Sequence, residues 1–192
     1  MVTITIQRSF TKLILTLITF SFSTLSFAAT ESDLIHAIID GKIELVRAIL
    51  NEGISANSMS ADTTSALQWA AQGDHNDIAQ ILLENGADAN MANRYGVTAA
   101  ALAAENGNAE IMQLLLAAGV DANQSMPEGE TLLMTASRTG NAATVRALLE
   151  HRADPNHREE TRGQTALIWA ASENNADAIR ALAEFGVEVH VK

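Results

Sequence analysis

The chain has 192 residues, of which 12 are Lys or Arg and 23 are Asp or Glu, for a net charge of −11. It contains no cysteine, which excludes disulfides, thiolate metal sites, a cysteine nucleophile and a lipid-modified cysteine. Hydrophobic residues reach 47% but aromatics only 4%, enough for an aliphatic core and poor material for a cofactor cavity.

The first element is unlike the rest. Arg8 and Lys12 give a basic start, Leu13 to Leu25 is an apolar run diluted by Ser and Thr, and Ser26-Phe27-Ala28 places small residues where a signal peptidase reads. Residues 1–28 therefore read as a secretory signal peptide cleaved after Ala28. The apolar run is too short for a helix crossing a bilayer of about 30 Å. Cleavage removes two positive charges and leaves 10 basic against 23 acidic residues, a net of −13. Such a chain repels nucleic acid and anionic membrane surfaces, whose binding rests on Lys and Arg. It attracts a basic protein. The plainer alternative is that acidity only keeps an exported protein soluble.

From Ser32 onward the sequence repeats with a period of 33 residues. Ser32 is followed by Leu34, Ala37 and Ile38, and Ser65 by Leu67, Ala70 and Ala71. Thr98 is followed by Ala100, Ala103 and Ala104, and Thr131 by Leu133, Ala136 and Ser137. Thr165, one residue late, is followed by Leu167, Ala170 and Ala171. Each Ser or Thr is expected to cap a first helix by accepting a free backbone N–H. The small pairs let first helices of neighbouring repeats approach closely. Gly41, Gly107 and Gly140 are expected to end the first helices. Second helices follow, roughly Asp77–Glu84 and Ala109–Ala117, with Ile and Leu at spacings of three and four. Gly53, Gly86, Gly119 and Gly186 end them, with Arg152 as the exception in that register. Asp88, Asp121 and Asp154, each two residues before an Asn, then turn the chain.

Leu-x-x-Ala-Ala followed by Leu-Leu-x-x-Gly-Ala-Asp-x-Asn at this period resembles the ankyrin repeat, over about residues 32–190. The resemblance implies an all-α solenoid over 29–192. Its repeats start near 32, 61, 94, 127 and 161, each with two antiparallel helices and a hairpin-like loop. The family's Thr-Pro-Leu-His box is degraded here to Ser65-Ala66-Leu67-Gln68, Thr98-Ala99-Ala100-Ala101, Thr131-Leu132-Leu133-Met134 and Thr165-Ala166-Leu167-Ile168. Loss of Pro and His is expected to loosen the turn and to remove a bond between repeats. The first repeat resembles a polar cap through His36, Asp40, Lys42, Glu44 and Arg47. The fifth keeps an interior pattern, so apolar surface around Ile168, Ile179 and Leu182 is expected to lack a neighbour. End-to-end self-association is one way to cover it.

Chemistry is sparse. Asp121-x-Asn123-x-Ser125 resembles the start of a calcium loop, but Met126 stands where Gly is required and no Glu closes it. No His pair has metal-ligand spacing, and His75 fits a structural position at the start of a second helix. No nucleophile elbow, phosphate loop or dinucleotide fingerprint occurs. The expectation is no catalytic residue, no cofactor and no metal. Trp69 and Trp169, in one register, read either as binding anchors or, preferably, as packing between first helices.

The positions that vary on the family's binding face are the loop tips and the exposed ends of first helices. They place the partner contacts at Arg94, Tyr95, Val97, Glu105, Asn106, Glu128, Glu130, Arg138, Arg162, Gln164 and Glu173, with Pro127 and Thr161 beside them. This mixed polar set suits a protein surface better than an apolar ligand cleft. The expected function is a non-catalytic protein-binding module of exported bacterial type, periplasmic or secreted, that holds or protects another exported protein. Narrower alternatives are an immunity-type inhibitor masking a basic toxin and the binding subunit of an exported enzyme.

Overall fold

The computed structural model describes residues 29–188; the signal segment expected over 1–28 lies outside them, as does His190. The described residues form ten α-helices in five pairs. The pairs are α1 (Glu31–Ile39) with α2 (Ile43–Asn51), α3 (Ala66–Gln72) with α4 (Asn76–Glu84), α5 (Ala99–Asn106) with α6 (Ala109–Ala117), α7 (Leu132–Thr139) with α8 (Ala142–Glu150), and α9 (Ala166–Ser172) with α10 (Ala176–Glu184). Odd-numbered helices pack on one another in one layer and even-numbered helices in a second. The connections between pairs are fingers with isolated antiparallel bridges at Met59–Ser65, Ala92–Thr98 and Ser125–Thr131, and no named strand occurs among the described residues. This is the all-α solenoid that the resemblance implied.

Local chemistry explains where helices begin. Ser65, Thr98, Thr131 and Thr165 each sit in extended backbone and accept the N–H three residues on. The first repeat departs from the register: Ser32 is inside α1, and the cap is Thr30, closed reciprocally with Asp33. No finger precedes this helix within the described residues, so nothing holds its start to the position used by the others. A local Thr30-x-x-Asp33 capping box sets it instead.

Helix ends show how repeats interlock. Gly140 has φ +82°, and a Cβ there would lie 2.6 Å from the Asn175 side chain. That Asn stands at the start of α10 and donates to Ser137 O and Arg138 O at the end of α7. Gly107 faces Asn141 in the same way. In the same register Asp74 and Asn174 take positive φ without being glycine, which short polar residues tolerate best. At the ends of second helices Arg152 does so too, with φ +68°.

The core is aliphatic. Ala99, Ala100, Ala101, Ala103 and Ala104 of α5 are all buried, as are Ile111, Met112, Leu115 and Leu116 of α6. The edges are partly open. His36, Asp40, Lys42, Glu44 and Arg47 are exposed as a cap requires, but Ile39 and Leu45 are exposed with them. At the other edge Ala171 is exposed where its counterparts Ala71, Ala104 and Ser137 are fully buried. Ile168 and Ile179 are half-buried. Leu182 corrects the expectation: it is fully buried, because it faces inward in the register of Leu82, Leu115 and Leu148, as α10 packs on α8 and α9.

The degraded box also needs a correction. In the second repeat Gln68 takes over the role expected to be lost. Its Oε1 accepts from Ser65 N–H and its Nε2 donates to Val97 O in the next finger. Ala101 has no group to do the same, and Met134 offers only a sulfur to Thr131 N–H.

Two outcomes follow for stability. Gln68→Leu strands a buried N–H and weakens one repeat boundary, so chemical denaturation should show a loss of about 1–3 kcal/mol. Arg152→Gly relieves a side chain held at positive φ and should raise stability by about 0.5–1 kcal/mol. Its carbonyl bond from Asn123 Nδ2 is unaffected.

Candidate protein-binding face

The fingers are built from their own polar side chains. Asn93 Oδ1 accepts the N–H groups of Tyr95 and Val97. Asp62 accepts from Ser60, Thr64 N–H and the Thr64 hydroxyl. Glu159 is buried and accepts the N–H groups of Thr161, Arg162 and Gln164. Those backbone bonds, Gln164 first, hold its carboxyl below the ordinary glutamate value. The finger carrying Met126 has no such acceptor and turns through a single 3-10 segment, Pro127–Gly129, with Glu128 at φ +72°.

Neighbouring fingers are then tied side by side. Asn57 accepts from Asp88 N–H and donates to Gly86 O. Asn123 does likewise with Asp154 N–H and Arg152 O, and Asn156 accepts from Glu188 N–H. Asp88, Asp121 and Asp154 each accept the N–H two residues on. The Asp-x-Asn pattern is therefore a turn, and its Asn ties repeats together at Asn123 and Asn156. Among the described residues no three His, Asp or Glu cluster as metal ligands, and no helix is long and apolar enough to cross a membrane.

The expected contact residues fall into two groups. Tyr95 is 71% exposed at its finger tip, and Glu105, Glu128, Arg138, Arg162 and Glu173 are exposed as well. The others are engaged in structure. Arg94 is exposed, but its Nε and Nη2 donate to Asp62 O and Ala61 O of the preceding finger. Its guanidinium also lies 5.8 Å from the Tyr95 ring centroid, within cation–π range. Asn106 donates to Ala71 O, Gln72 O and Asp74. Val97 is half-buried and its carbonyl receives Gln68. Glu130 accepts from the Thr135 hydroxyl, and Gln164 is half-buried.

Glu128, Glu130, Arg162 and Gln164 come together around Trp169, at a cavity of about 190 Å³. Both Trp69 and Trp169 are half-buried against the core, in line with packing. His75 opens α4 and sits against Gly41 and Gly73. Sequence reading missed Asp62, Gln68, Asn93 and Glu159. All four lie in the finger-and-cap register, and a register-by-register search for acceptors there would have found them.

Glu159 generates a pH prediction. A carboxyl whose folded pKa is depressed stabilises the fold above the unfolded value and loses that contribution as pH falls through the folded one. Urea unfolding followed from about pH 6 to about pH 3 should therefore show a smaller acid-induced loss in Glu159→Gln than in the parent chain.

A family model of ankyrin repeats (three copies) matches residues 34–126 and again 101–192. No curated protein matches the chain. Ankyrin repeats are generally protein–protein interaction modules, and proteins built from them are typically non-enzymatic. With paired helices, tied fingers and this match over nearly all the described residues, the chain belongs to the ankyrin-repeat family.

Proposed function

We propose that this chain is an exported, non-catalytic module that binds another protein through its finger tips and the exposed ends of its first helices. The observation that carries the reading is the finger row, whose backbones are tied together while Tyr95 stands out into solvent. A rigid aromatic at low entropic cost is the side chain that protein interfaces favour as an anchor. Arg94 supports the ring from behind rather than reaching outward. Arg138 and Glu105, at the ends of α7 and α5, extend the face along the first-helix layer.

The net charge of −13 without residues 1–28 favours a basic partner, which it draws in faster at low salt. The three-part leader supports export, to a periplasm or beyond, where the module would hold or protect another exported protein. End-to-end self-association through the partly open apolar edge at Ala171 and Phe185 is a secondary mode, separate from the polar binding face.

Two measurements test this reading. Intact mass of the exported protein should begin at Ala29; a mature chain that retains Met1 contradicts export by this leader. Affinity capture from the native exported fraction, read by mass spectrometry, should return a specific partner. Tyr95→Ala and Arg138→Glu should each weaken that partner at least about fivefold, near 1 kcal/mol, with helicity unchanged. Unchanged affinity in both variants would move the binding face elsewhere.

A further inference from the structure

The cavity at Trp169 is where the repeat pattern breaks. In the first three fingers the paired backbone groups are four residues apart, as in Ser60 N–H to Thr64 O, Asn93 N–H to Val97 O and Met126 N–H to Glu130 O. In the fourth, Glu159 N–H reaches Gln164 O, five residues on. The extra residue changes what the tryptophan meets. Trp69 Nε1 donates to Ser60 Oγ. Glu159 stands in the place of Ser60, its oxygens spent on its own finger, and the Trp169 indole N–H is closed off from solvent with no acceptor.

The acceptors around the cavity are also incompletely used. Glu130 gives one oxygen to Thr135. Its second oxygen and the Glu128 carboxylate take no hydrogen bond among the described residues. Arg162 is the single cation among the lining residues, against three carboxylates.

We infer that this cavity receives an arginine side chain from the partner, an inference that rests on the protein-binding reading above. A guanidinium is planar, stacks on an indole and carries enough donors for both Glu128 and Glu130. The unmet Trp169 N–H is buried and stays out of this contact; the indole enters it as a wall of the cavity. The volume of about 190 Å³ holds one long side chain rather than a free-standing cofactor. Net negative charge over the whole chain brings a basic segment to the face before the cavity selects within it.

The chain has two tryptophans, so Trp69→Phe leaves Trp169 as the sole indole reporter. Its fluorescence is titrated with N-acetyl-arginine amide, N-acetyl-lysine amide and N-acetyl-citrulline amide. In the unsubstituted chain, the Trp169 indole N–H proton resonance gives the same reading without relying on the variant. A saturable response to the arginine compound is expected, at least about tenfold weaker for citrulline, which has the shape without the charge. Glu128→Gln and Glu130→Gln should each weaken it several-fold; Gln at 130 can still accept from Thr135. No saturable response, citrulline equal to arginine, or indifference to both Gln variants overturns the inference. Lysine equal to arginine overturns the assignment to a planar guanidinium. Partner capture and its loss in Tyr95→Ala are read separately, so a silent cavity removes this inference and leaves the protein-binding reading standing.

Discussion

Alanine in the first-helix layer is what the stack rests on. Ala70 and Ala71 of α3, Ala103 and Ala104 of α5 and Ala136 of α7 are fully buried between neighbouring helices. Side chains this small let backbones approach closely, and each pair covers apolar surface that its neighbour cannot cover alone. The close approach extends to the helix ends, where Gly107 and Gly140 leave room for Asn141 and Asn175. A side chain at Gly140 would displace Asn175 and with it the two bonds to the end of α7.

The same interlock shapes the surface. Arg94, Asn57, Asn106 and Asn123 spend their polar groups on the preceding or following repeat. What remains free at the tips and helix ends is a small set, with Tyr95 the most exposed aromatic. Rigid fingers with a few free side chains suit selective contact, because little order is left to impose on binding.

Much of this was legible in the period. Thr98, Thr131 and Thr165 cap helices where their spacing placed them, and Gly107 and Gly140 end them. What stayed hidden has physical reasons. Ser32 shares the register of the caps, yet the competing box at Thr30 and Asp33 wins where no finger precedes the helix among the described residues. Gln68 looked like the loss of a ligating side chain, but an amide can donate and accept at once and restores the tie. Arg152 looked like a gap in the glycine register, while the backbone keeps its positive φ regardless of the residue. For the binding face, hydrogen bonds to the preceding repeat set Asn106 apart from Tyr95 and Arg138, and partial burial sets Val97 apart; residue type alone could not show which polar groups the neighbouring repeat had already claimed. The cavity at Trp169 arises from one extra residue in a finger, visible in sequence only as a step of 34 instead of 33.

Nearest-neighbour stacking also fixes how stability is distributed. Interior pairs have two neighbours, whereas α1–α2 and α9–α10 each have one among the described residues, and the second of these leaves Ala171 exposed and Ile168 and Ile179 half-buried. Native-state amide hydrogen exchange reads this directly, because opening free energies follow local packing. Protection should be highest in the interior helices α3 to α8 and lower in the edge pairs, α9 and α10 among them. Amides of α9 and α10 as protected as those of α5 and α6 would contradict the nearest-neighbour picture.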